Sequence, residues 1–147
     1  MQLRDGLLLL ILVTAPAAAL EPPRPERDPG EVVQLQLQGL QQADAAGFEQ
    51  AFTLASPGNQ AQTGPLPRFV AMLREGYPEL LGHRQAELGG ILIEGEQALV
   101  PVRLQARNGL SFQYVFLLSR QTEPPFVDCW MTDAVLGEPE RADEQAL

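Results

Sequence analysis

Asn108-Gly109 constrains this chain more than any other pair of residues. An Asn-Gly step between two alternating apolar runs is the strongest short-range signal for a β-hairpin, because both residues tolerate the backbone of a tight turn. Residues 98–107 form the run before it and residues 110–120 the run after it. Residues 86–93 read as an earlier strand, with Gly89-Gly90 suggesting a bulge. After a turn at Glu123-Pro124-Pro125, residues 126–135 read as the last strand. The second half of the chain is therefore expected to be a four-stranded antiparallel meander.

The first half carries a different period. Asp28-Pro29-Gly30-Glu31 has the form of a capping box, with Asp28 as N-cap and Pro29 at the first helical position. The next residues are ambiguous: Val33, Leu35 and Leu37 alternate like a strand, while Val33, Leu37 and Leu40 keep helical spacing. The cap and the intervening glutamines favour helix. Asp44 is placed to cap a second helix with Phe48, Ala51, Phe52 and Ala55 as its buried stripe. Residues 56–64 read as a polar loop around Pro57-Gly58. A third helix is expected over residues 66–75, burying Phe69, Met72 and Leu73 and closed by Gly76. Helices followed by an antiparallel meander make the fold class α+β.

A two-residue turn at Asn108-Gly109 would set Arg107 opposite Leu110 and fix the register. Val100, Val102 and Leu104 would then share a core face with Val115 and Leu117. The other face would carry Arg103, Phe112, Tyr114 and Phe116, with Arg103 directly across from Tyr114. On the last strand, Phe126, Asp128 and Trp130 would share one face and Val127, Cys129 and Met131 the other. A three-residue loop would reverse the assignment between the two central strands. Aromatic walls with a few polar groups are the material of small-ligand pockets, so Arg103, Phe112, Tyr114, Phe116 and Trp130 are the expected ligand-binding residues.

The ends of the chain speak to address. Arg4 precedes an apolar run over residues 7–13, and Ala17-Ala18-Ala19 supplies an A-x-A cleavage pattern. The run is too short for a bilayer-spanning helix, which needs roughly 20 apolar residues. Residues 1–19 are expected to be a cleaved export signal, and the protein to be periplasmic or secreted. Residues 20–30 read as a proline-rich linker, residues 31–136 as the domain and residues 137–147 as an acidic, disordered tail. Ten basic residues, all Arg, stand against 19 acidic ones, for a net charge of -9. That balance argues against nucleic acid and against docking on an anionic membrane.

With one cysteine, Cys129, no disulfide can form within the chain, and with one histidine, His83, no His-based metal site is available. No cofactor motif is present, so no cofactor or metal is expected. Cys129 reads as a buried structural thiol, and His83 as a loop or surface residue rather than a general base. Arg103 is suited to a carboxylate or phosphate, against the plainer reading of an exposed strand residue whose stem covers its neighbours.

The segments "VVQLQLQGLQQADAAGFEQAFTLASP", "FVAMLREGYPEL" and "FVDCWM" resemble a bacterial exported family, domain of unknown function 4864. Asp44, Phe48, Ala55-Ser56-Pro57, the Phe69 to Tyr77 spacing and Cys129 carry the resemblance, which covers nearly all of residues 31–136. It implies a nuclear transport factor 2-like cone, in which a curved sheet wraps a long helix around a pocket. The family has no assigned reaction. Pro124-Pro125 stand where the family usually has a Trp-Arg pair, which implies an altered pocket. Cone folds also host isomerases in which a carboxylate takes a proton and tyrosines stabilise the enolate. By that analogy Asp128 with Tyr114 is the pair to test, Asp133 pointing to the opposite face. Three functions follow as expectations: non-catalytic binding of a small ligand or envelope protein through the aromatic face, a cofactor-free isomerase or hydrolase, and a homodimer joined through the same aromatics.

Overall fold

The computed structural model describes residues 11 and 19–137. The expected acidic tail beyond Gly137, and the expected export signal apart from Ile11 and Ala19, lie outside the described residues. Among the described residues the fold is α+β: four helices followed by an open antiparallel sheet of five strands.

Helix α1 runs Pro29–Gln42, and the Asp28 side chain accepts from the Glu31 N–H at 2.9 Å. Val33, Leu37 and Leu40 are buried on one face, so the ambiguous stretch resolves as helix. Ala43 takes a left-handed φ of 53° and returns its N–H to Gly39, ending the helix. Asp44 then caps α2, Ala45–Thr53, by accepting from the Gly47 N–H at 2.7 Å. Because Gly39 and Gly47 lack side chains, the two helix backbones nearly touch there.

The expected polar loop contains a further helix, α3, Pro57–Thr63. Ser56 caps it and Pro57 opens it, a start signal that the sequence carries. It lacks any buried residue, so the apolar stripe by which helices are recognised is missing. Helix α4, Leu66–Gly76, buries Phe69 and Leu73, and a 3-10 turn at Pro78–Leu80 leads into the sheet.

The sheet is ordered β1-β3-β4-β5, with β2 also paired to β3. The expected first strand is split into β1, Gln85–Leu88, and β2, Leu92–Glu94, so the sheet has five strands rather than four. Gly89, Gly90 and Ile91 interrupt the strand between them, although the Gly89 N–H still bonds the Pro101 carbonyl at 2.8 Å. Strands β3, Gln97–Gln105, and β4, Ser111–Arg120, form the central hairpin.

Their register differs by one residue from the two-residue turn expected. The Gly109 N–H bonds the Ala106 carbonyl at 2.9 Å and the Ala106 N–H bonds the Leu110 carbonyl at 2.8 Å. Arg107, Asn108 and Gly109 therefore form a three-residue loop, with Gly109 alone taking a positive φ, of 86°. Arg103 consequently faces Gln113, and Tyr114 faces Val102. One slip transfers a whole set of side chains to the other face. Phe112, Tyr114 and Phe116 thus join Val100, Val102 and Leu104 in the buried core beneath the helices. Arg103 and Gln113 are left exposed on the outer face.

The last strand is also shorter than expected. β5 spans Trp130–Leu136, while Phe126 to Cys129 form an irregular turn in which Asp128 has a φ of 65°. The proline-rich stretch ahead of α1 is tied to the domain: Gln50 exchanges hydrogen bonds with the Glu21 backbone, at 2.7 and 2.9 Å. Arg27 adds a 2.6 Å ion pair to Glu21 and a hydrogen bond to the Pro22 carbonyl.

Candidate functional site

Thr132 organises the space between the helices and β5. Its N–H bonds the Leu54 carbonyl at 3.0 Å, and its own carbonyl accepts from the Ser56 N–H at 2.8 Å and from the Asn59 amide at 3.0 Å. Its hydroxyl donates to Gln36 Oε1 at 2.6 Å, and Gln36 Nε2 donates to the Ala51 carbonyl at 3.0 Å. Both side chains are buried, and these bonds satisfy them. Thr132 therefore belongs to the helical layer as much as to the sheet. The ladder adjusts with a bulge: Leu118 pairs with Thr132 and Leu117 with Ala134, so Asp133 is the extra residue.

Between this strand and helices α1 to α4 lies a cavity of about 280 Å³. Leu40, Ala51, Phe69, Leu73, Leu80 and Phe116 supply much of its apolar wall. Gln36, Asn59, Gln62, Thr63, Tyr77 and Thr132 contribute polar atoms, and apart from those of the exposed Gln62 these are largely engaged within the wall. Tyr77 donates its hydroxyl to the Val135 carbonyl at 3.2 Å, and Thr63 donates to the Asn59 carbonyl at 2.9 Å. Among the described residues, no buried side-chain nitrogen or oxygen lacks a hydrogen-bond partner. Asp133 is the one charged side chain among the described lining residues, and it is exposed, at the rim.

The expected site residues are distributed unequally around this cavity. Phe116 lines it, and Tyr77, which does too, tilts against the Tyr114 ring with centroids 6.5 Å apart. Tyr114 itself is buried, with its hydroxyl 3.5 Å from Glu79 Oε2. Burial first, then the Glu79 charge and hydrogen bond, push its pKa far up, so the phenol stays protonated. Phe112 and Trp130 are core residues and are not part of the cavity wall. Arg103 and the edge of Tyr114 border a separate, shallow groove on the outer face, with Pro101, Gln113 and Val115.

Asp128 is not joined to Tyr114. Its exposed carboxylate sits in the turn before β5 and pairs with Arg120 at 3.4 Å, whereas Tyr114 faces Glu79. Cys129 is buried, and burial raises its thiol pKa, with Glu26 and Asp128 adding to the effect and Arg27 opposing it. A raised pKa keeps the sulfur a poor nucleophile.

His83 is not on the surface. It is 4% exposed, and its Nδ1–H donates to the Leu80 carbonyl at 2.7 Å. Burial lowers its pKa below 6.5, the hydrogen bond only partly opposing the shift. The folded state thus binds this proton less readily than the unfolded chain does. The resulting stability is complete above about pH 6.5 and is lost as pH falls through the depressed folded value. The urea midpoint should therefore drop between pH 7.5 and 5.5, and His83→Gln should flatten that part of the profile. An equal slope in both proteins would show that His83 does not set it.

Two cavity residues escape a reading of the sequence. Gln36 lies at helical spacing with Val33 and Leu40, so a polar residue inside a buried stripe was its only signal. Asp133 is legible only as a strand carboxylate expected to face away from Asp128, because a bulge is invisible in an alternating pattern.

A family model described as Domain of unknown function (DUF4864) matches residues 26–142. No curated protein matches the chain, and no solved structure matches it.

Proposed function

The chain belongs to the family described as Domain of unknown function (DUF4864), and from that premise, which fixes no activity, we propose that it is a non-catalytic module binding a small, largely apolar ligand between its helices and β5. The observation that carries this reading is the cavity of about 280 Å³, whose apolar wall is held in shape by polar groups bonded to one another. Sites of this kind gain affinity from apolar burial and orientation from a few polar atoms. The helices-then-sheet order around a cavity supports a nuclear transport factor 2-like cone as the parent architecture. Arg4, the apolar run at residues 7–13 and Ala17-Ala18-Ala19 support export, with the mature chain starting at Leu20. An intact mass that includes Met1 in native material would overturn that address.

Titration with a neutral apolar probe, naphthalen-2-ylmethanol, tests the site by calorimetry. One saturable event per chain is expected, weakened at least tenfold by Met72→Trp, which fills the cavity from its half-buried wall. Absence of saturable binding, or equal binding by the variant, would sink the reading.

A protein partner or a second copy is the alternative. It is favoured by exposed Leu92, Ile93 and Leu99 on paired strands β2 and β3. A mass by light scattering that stays monomeric at high concentration would exclude the second copy. The core aromatics are not available for such contacts, being covered by the chain's own helices.

A further inference from the structure

Resting on the cavity-binding reading, we infer that the ligand is an apolar amine, with its hydrocarbon body in the cavity and its cationic head against Asp133 at the rim. Three observations lead there. The first is the bulge. On an unbroken strand Asp133 would point away from the face that Thr132 occupies, since successive side chains alternate. Asp133 is the extra residue, on β5 opposite the Leu117–Leu118 step, so the alternation breaks there, and Asp133 lines the same cavity as Thr132.

The second is the distribution of charge. No Arg or His is among the described residues of the lining, so a carboxylate or phosphate would enter without a counter-charge and beside an existing negative one. Burying an anion unpaired is costly, and a like charge nearby adds to the cost. A neutral polar ligand gains less inside the cavity, because the interior donors and acceptors are engaged with one another and only the exposed Gln62 amide is left to meet it.

The third is that Asp133 enters no ion pair formed among the described residues, in contrast to Asp128, which holds Arg120. Asp133 is exposed, so an ammonium can meet it without either charge leaving water, which avoids the desolvation penalty of a buried pair. The overall charge of -9 also favours the approach of a cation. An apolar body in a dry wall and a charged head in a wet rim is the division that this geometry accepts.

Three probes sharing one hydrocarbon separate the possibilities: naphthalen-2-ylmethanamine, naphthalen-2-ylmethanol and naphthalene-2-carboxylate. At low salt and pH 7 the amine should bind about threefold more tightly than the alcohol, as one solvent-exposed ion pair allows. The carboxylate should bind least. Asp133→Asn should bring the amine-to-alcohol ratio close to one, and Asp133→Arg should place the carboxylate ahead of the amine. Added salt should narrow the wild-type ratio. Equal binding of amine and alcohol by the wild type, or an unchanged ratio in Asp133→Asn, would overturn the inference and leave the cavity reading standing. Failure of all three probes to bind would remove the cavity reading and this inference with it.

Discussion

Gly47→Ala should destabilise the protein by about 3 kcal/mol, at the upper end of what overpacking costs. A Cβ at Gly47 would collide with the carbonyl oxygen of Gly39, and one at Gly39 with the carbonyl oxygen of Gly47. Backbone cannot swing aside as the tip of a long side chain can. The α1–α2 pair must therefore separate, disturbing Leu40, Phe48 and Ala51, which are packed into the same core. Alanine's better helix propensity returns only about 1 kcal/mol, and it is already counted in that figure. Thermal unfolding should show a fall of about 10 °C. Gly58→Ala is the matched control, since nothing lies within 4 Å of a Cβ there. It should leave the melting temperature unchanged or raise it slightly. Equal behaviour of the two variants would mean that α1 and α2 are not in backbone contact.

Phe116→Ala should cost about 3–5 kcal/mol, the range for removing a fully enclosed aromatic ring. Phe116 is 1% exposed and lies between Val100 and Val135 on the neighbouring strands. It also lines the cavity, so the vacated volume joins a space that exists already. The wall cannot close over it while Thr132 holds β5 to residues 54 and 56. Phe116→Leu retains much of the buried area and should cost less than half as much. Urea denaturation with an unchanged slope checks both. A loss below about 1 kcal/mol for the alanine variant would place this ring outside the core.

The helix starts were legible because capping chemistry is local. Asp28 and Asp44 each satisfy an N–H three residues ahead, and both stand directly before an apolar stripe. Ser56-Pro57 carries the same chemistry, yet α3 covers no core and so has no stripe. The strand pair around Asn108-Gly109 was legible too, though its face assignment was not. An Asn-Gly step serves a two-residue turn and equally a three-residue loop ending in a left-handed glycine. Read as a two-residue turn, the step puts Phe112, Tyr114 and Phe116 on a surface they do not occupy, with Arg103 beside them. Core burial decided between the two loops, and that is a tertiary quantity. The cavity was the least legible feature, since it depends on Thr132 bonding across to residues 54 and 56 and on the bulge that follows. His83 belongs with these cases: its environment is built by the 3-10 turn, through the Leu80 carbonyl, and not by its sequence neighbours' composition.

The enclosure of Cys129 equips the molecule with a reporter of its own opening. A thiol reagent can reach that sulfur when the segment from Gln121 to Cys129, closed by the Gln121–Cys129 and Asp128–Gln121 backbone bonds, lets go. The rate of labelling becomes a clock for that event. One site per chain makes the clock readable without engineering any cysteine in or out.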